Sequence, residues 1–198
     1  MNKGERTRKD IIEKAFTMAG NVGLEAVSLG TLAGETGLSK SGLFAHFKSK
    51  EALQLSVIEE VIERFTKNVI RPAIGAPRGE VRIRTYFNRK LDWIAEHRSN
   101  GGCFYLALCQ EYSHREGPVK DRLIQGQNDL METIARIVRT AIDEGQFRQD
   151  VDPVRFAFEL EGITMAYSHI GKFVQTPQSL EHARMAFEDL IIRSRATG

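Results

Sequence analysis

The chain has 198 residues, 41% of them hydrophobic, enough to bury a core in one large domain or two modest ones and to exclude a disordered polymer. No run of 18 uninterrupted apolar residues occurs, and Met1-Asn2-Lys3-Gly4-Glu5-Arg6 leads straight into a charged amphipathic segment, so the expected location is the cytoplasm, with no membrane partner. The net charge is only +2, but residues 1–50 hold eight Lys/Arg against five Asp/Glu, a local surplus of +3 that leaves −1 for the remainder and suits one end to attracting phosphates.

Apolar spacings of three and four recur along the chain and strict alternation is missing, so an all-α fold of about nine helices is predicted. The first helix runs from about Arg6 to Gly20, with Ile11, Ile12, Ala15, Phe16 and Ala19 on one face, and it stops at Gly20-Asn21-Val22-Gly23. Ser28 caps a short second helix, Ser39 a short third, and Ser49 a long fourth whose stripe is Leu53, Val57, Ile58, Val61, Ile62, Phe65 and Val69. Arg71-Pro72 and Gly75-Ala76-Pro77 end it. A helix over about 79–97 follows, then a break at Ser99-Asn100-Gly101-Gly102 and a short apolar helix from Cys103 to Ser113. Gly117-Pro118 opens a long helix that Gly145 ends, Asp152-Pro153 caps and starts the next, and Pro177 marks the start of the last.

Two short helices joined by a glycine turn describe a helix-turn-helix. In Leu32-Ala33-Gly34-Glu35-Thr36-Gly37-Leu38-Ser39, Ala33 lets the helices cross closely, Gly37 permits a left-handed turn and Leu38 plugs the core. Phe16, Leu24, Val27, Leu43 and Phe47 fill the core of this small domain. Ser39 opens the recognition helix, whose first turn, Lys40-Ser41-Gly42, presents a long cation, a hydroxyl and a position without a side chain.

With these residues the sequence resembles the TetR family of one-component repressors over residues 6–55, about a quarter of the chain. The resemblance rests on Ile11 to Phe16 with Gly23, Val27-Ser28-Leu29-Gly30-Thr31-Leu32-Ala33, Gly37-Leu38-Ser39-Lys40, Gly42-Leu43-Phe44-Ala45-His46-Phe47 and Lys48-Ser49-Lys50-Glu51-Ala52-Leu53. It implies a homodimeric repressor on a palindromic operator, released when a small molecule acts on the C-terminal domain. It also implies base readout by Lys40, Ser41 and Gly42 and phosphate contacts from Ser28, Thr31, His46 and Lys50. Phe44 stands where the family usually has tyrosine, which leaves apolar contact in place of a hydroxyl on phosphate. Beyond about residue 70 no shared motif is found. The division of roles is residues 1–48 for DNA and 49–198 for effector and dimerisation.

Glu111, Tyr112, Tyr167 and His169 are polar members of apolar stretches, and with Trp93 and Cys103 they are candidates for an effector cavity; core filling is their other reading. The segment Val154 to Val174 is apolar around most of its circumference, and Ala183, Ala186, Phe187, Leu190 and Ile191 form a second stripe, so the last two helices are expected to pair with their copies in a homodimer. Cys103 and Cys109 form no disulfide framework or zinc motif, and no metal or cofactor is expected. Cys103, at a helix start, leaves open a redox- or electrophile-sensing repressor. A cysteine-dependent enzyme lacks a recognisable His/Asp partner, and a non-specific nucleoid protein would be more basic.

Overall fold

The computed structural model describes residues 3–97, 103–174 and 178–196. The break expected at Ser99-Asn100-Gly101-Gly102 and the start expected at Pro177 lie outside them. The helices are α1 (Lys3–Val22), α2 (Leu29–Thr36), α3 (Lys40–Phe47), α4 (Lys50–Phe65), α5 (Arg71–Gly75), α6 (Glu80–Glu96), α7 (Phe104–Glu111), α8 (Pro118–Asp143), α9 (Pro153–Phe173) and α10 (Ser179–Ser194). A π-helical turn, Thr66–Ile70, joins α4 to α5 without a break, so nine separate helices stand among the described residues. One isolated antiparallel bridge, Phe147 to Arg195, ties the end of α10 to the turn after α8.

Local chemistry explains most boundaries. The Ser28 hydroxyl accepts from the Thr31 N–H at 3.1 Å while the Thr31 hydroxyl accepts from the Ser28 N–H at 2.9 Å, a reciprocal cap on α2. Gly37 ends α2 with φ 68°, the left-handed turn for which glycine is suited. Asp152 accepts from the Val154 and Arg155 N–H groups, and Pro153 occupies the first turn of α9.

Helix α1 ends at Val22, within the expected stop at Gly20-Asn21-Val22-Gly23, and Gly23 turns the chain with φ 86°. Arg71-Pro72 does not end the long fourth helix; the π turn directly ahead widens the backbone, and Pro72 sits in the first turn of α5, where its missing N–H has least consequence.

The chain packs as two compact units, one of residues 1–64 with 104–126, the other of 65–103 with 127–198. The packing therefore does not divide at residue 48, because the α4 stripe Leu53, Val57, Ile58 and Val61 is buried with Ile11, Ala15 and Phe16 of α1 in the first unit's core. Phe104, Leu108 and Leu123 complete that core, Phe104 meeting Phe16 edge to face at 5.2 Å. All five small-domain core residues read from the sequence are buried in it.

The second unit's core gathers Ile83, Tyr86, Phe87 and Leu91 of α6, Ile134 and Val138 of α8, Phe156 and Leu160 of α9, and Phe187 and Ile191 of α10. Here the expected subunit contact needs correction. Ala183, Phe187, Leu190 and Ile191 are spent on the chain's own core, Phe187 stacking on Phe87 with centroids 3.9 Å apart. The uncovered apolar face consists instead of Val154, Phe158, Met165, Ile170 and Phe173 on α9 and Leu180, Met185 and Ile192 on α10, with Ala186 exposed beside them.

Candidate functional site

Helices α2 and α3 form a helix-turn-helix held from beneath by Leu32, Leu43 and Phe47, all buried. Ser39 caps α3, its hydroxyl accepting from the Gly42 N–H at 3.1 Å and lying 3.0 Å from the Ser41 hydroxyl. Lys40, Ser41 and Phe44 are exposed, so the first turn and outer face of α3 present an ammonium, a hydroxyl and an uncovered aromatic ring together. A Cβ at Gly42 would stand 3.3 Å from the Ser39 hydroxyl oxygen, so any larger residue there presses on the cap.

Ser28 and Thr31 stand at the start of α2, where free N–H groups and the helix dipole favour an anion. Their hydroxyls are used on one another, and the Thr31 hydroxyl also donates to the Ser28 carbonyl at 3.0 Å. His46 is half-buried with its ring beside Phe47. The Lys50 ammonium donates to Glu25 Oε1 at 2.6 Å. That bond holds the Glu25 carboxyl below the usual carboxylate range. Gln54 and Tyr112 also reach Glu25, at 3.3 and 3.2 Å.

The candidate effector residues separate. Glu111 and Tyr112 belong to the first unit, where the Glu111 carboxylate accepts from the Leu24 and Glu25 N–H groups at 3.0 and 2.7 Å. Trp93 and Tyr167 are buried in the second unit's core, Trp93 between Phe65 and His97. Cys103 packs half-buried against that core, its N–H donating to the Ser168 hydroxyl at 3.2 Å. His169 is exposed on α9 beside Phe173.

Sequence reading missed the most strongly charged feature of the second core. The Lys90 ammonium donates to both oxygens of Glu161, at 2.5 Å to Oε1, and the Tyr86 hydroxyl donates to Oε1 at 2.7 Å. All three residues are buried. Burial, followed by the adjacent Glu161 charge, pushes the Tyr86 hydroxyl well above its ordinary value. A signal was present: Lys90 falls on the apolar stripe of Ile83, Tyr86, Phe87 and Ile94, and Glu161 interrupts an apolar stretch of α9.

A two-helix reader with an exposed, polar first turn on its second helix, standing on a helical scaffold, defines the class of helix-turn-helix DNA-binding proteins. Residues 11–57 match the family described as bacterial regulatory proteins, tetR family, and residues 79–187 match the tetracyclin repressor-like C-terminal domain. The chain belongs to the tetR family and is a DNA-binding transcriptional regulator. The second match lies beyond residue 70, where the sequence shows no short shared motif, and it spans α6 into α10.

The HTH-type transcriptional repressor ComR of Escherichia coli is 25% identical over 147 residues, 74% of this chain and 68% of that protein. The uncharacterized HTH-type regulator YerO of Bacillus subtilis is 35% identical over 94 residues, 46% of this chain and 32% of that protein. In fold, a TetR-family regulator from Cytophaga hutchinsonii is similar over 100% of this chain and 99% of its own, with TM-score 0.88 and 20% identity. AibR, solved with isovaleryl coenzyme A and operator DNA, is similar over 91% of this chain and 96% of its own, with TM-score 0.69 and 18% identity. Among the described residues no helix is long and apolar enough to cross a membrane, and no group of three His, Cys, Asp or Glu is placed to hold a metal ion.

Proposed function

We propose that the protein represses transcription in the cytoplasm by binding a palindromic operator as a homodimer, and that a small molecule taken up by its second unit releases the DNA. The observation that carries this reading is the first turn of α3, where Lys40 and Ser41 stand exposed on a rigid, capped helix with Phe44 beyond them. The uncovered apolar face of α9 and α10 supports the dimer. The buried Tyr86, Lys90 and Glu161 cluster, in a core that also holds Trp93 and Tyr167, supports the second unit as the place of effector recognition.

Selection from random duplexes by the full-length protein tests the reading. Enriched sequences should contain two half-sites related by a two-fold axis and centred about one helical turn, or a multiple of it, apart. Recovery of unrelated duplexes with equal affinity would overturn it.

On the selected duplex, Lys40→Ala should lose about 1–3 kcal/mol of binding, with a smaller loss on random DNA, if Lys40 reads a guanine edge. Equal losses on both would reassign it to the phosphate backbone. Phe44→Tyr should tighten binding by about 0.5–1.5 kcal/mol, the net value of one hydrogen bond to phosphate. Weaker binding by a folded variant, read by fluorescence anisotropy, would show that this ring meets an apolar surface.

A further inference from the structure

The bond between Glu25 and Lys50 flanks the two-helix reader. Glu25 lies three positions before Ser28, the cap of α2, and Lys50 opens α4 three positions after α3 ends at Phe47. The two oxygens of the carboxylate have different neighbours. Oε1 receives the Lys50 ammonium at 2.6 Å, while Gln54 and Tyr112 donate to Oε2 at 3.3 and 3.2 Å and the Arg115 guanidinium lies 3.5 Å from it. Gln54 is itself buried, and it donates to the Leu24 carbonyl at 3.3 Å as well. The Glu25 backbone N–H is anchored on the Glu111 carboxylate at 2.7 Å, so chain and side chain are both fixed. All of these residues belong to the first unit.

The partners are therefore unequal. If Lys50 leaves, Glu25 keeps its neighbours on Oε2, whereas the ammonium rides on a flexible four-carbon stem. Their side chains are 39% and 37% exposed, so solvent and any polyanion beside the reader can reach the pair. An ion pair this open is worth little, because water screens it and two side chains must be held still. A duplex carries one negative charge about every 1.7 Å along its axis, and a phosphate offers Lys50 the same kind of contact as the carboxylate, an anionic oxygen at hydrogen-bond distance.

We propose that Glu25 is a built-in phosphate surrogate: it occupies Lys50 in the free protein and yields it to the DNA backbone, which lowers affinity for every duplex alike and leaves sequence preference unchanged. The proposal rests on the DNA-binding reading above. The step exchanges one ammonium–anion contact for another, and the carboxylate charge left behind stays beside Arg115. Phosphate contacts carry no sequence information, so a residue that competes for one acts on specific and random DNA equally.

Fluorescence anisotropy with the selected duplex and with random duplex, from about 50 to 200 mM salt, tests it on the full-length wild type, Glu25→Gln, Lys50→Ala and the double variant. Glu25→Gln should tighten binding about 2- to 30-fold for two subunits on two half-sites, by the same factor on both duplexes. The slope of log affinity against log salt should steepen by about 0.9 per subunit, because Lys50 then meets phosphate without a competing carboxylate. In the Lys50→Ala background the same substitution should bring no gain. Wild-type affinity and slope in Glu25→Gln would overturn the surrogate. So would a gain of equal size in the Lys50→Ala background, which would reduce Glu25 to a charge that repels DNA from a distance. If Glu25→Gln does not fold, the wild type decides: the lysine side-chain ¹⁵N signal that Lys50→Ala lacks should shift when the selected duplex is added, and an unmoved signal counts against the exchange. A wild type that selects no duplex would overturn the DNA-binding reading and the surrogate with it.

Discussion

Glu161→Ala is expected to destabilise the folded protein by about 3–5 kcal/mol, because it strands the buried ammonium of Lys90 and the hydroxyl of Tyr86 in an apolar core. A typical domain has only about 5–15 kcal/mol in total, so urea unfolding should show a large shift of midpoint. Lys90→Met with Glu161→Leu and Tyr86→Phe removes every stranded polar group and should come within about 1–2 kcal/mol of the wild type, on either side. A single Glu161→Ala variant as stable as the wild type would show that the pair is not closed off from water. Since an apolar replacement would hold the core about as well, stability alone does not account for the pair, in keeping with the role in effector recognition proposed for this cluster.

The second large effect concerns assembly. Phe158 is 72% exposed and Phe173 71%, extreme values for aromatic residues, and both lie on the uncovered face of α9. In a two-fold dimer each substitution acts twice, so Phe158→Glu should bury two unpaired carboxylates and weaken self-association at least about 100-fold. Sedimentation should show a monomer at concentrations where the wild type is a dimer. Operator affinity should fall with it, because a monomer spans one half-site. Ala186→Glu, on the exposed side of α10, should act in the same direction. Ala183→Glu places its charge in the chain's own core and should unfold the second unit instead. A Phe158→Glu protein that stays dimeric would move the subunit contact off this face.

Much of this was legible before any coordinates, wherever the cause was local. Ser28, Ser39 and Asp152 cap helices because their oxygens satisfy N–H groups two or three positions ahead, and Gly37 turns because it lacks a Cβ. Such causes act within a few residues, so short motifs reveal them, and they were enough to place the first turn of α3 at Lys40 to Gly42. Periodicity likewise marked the buried stripes of α1 and α4. It did not say what covers them. Whether Phe187 or Met185 of α10 faces the chain's own core depends on how α6 and α9 pack on that helix, and both residues read alike as apolar letters. The contacts of Glu111, Lys50 and Lys90 were decided in the same way, by partners at Leu24, Glu25 and Glu161 that lie 25 to 87 positions away. The sequence by itself determined most of the helices, their caps and the glycine turn between α2 and α3. Only the tertiary structure decided which charges pair and which apolar faces remain uncovered, because both depend on distances between segments that the order of residues does not specify.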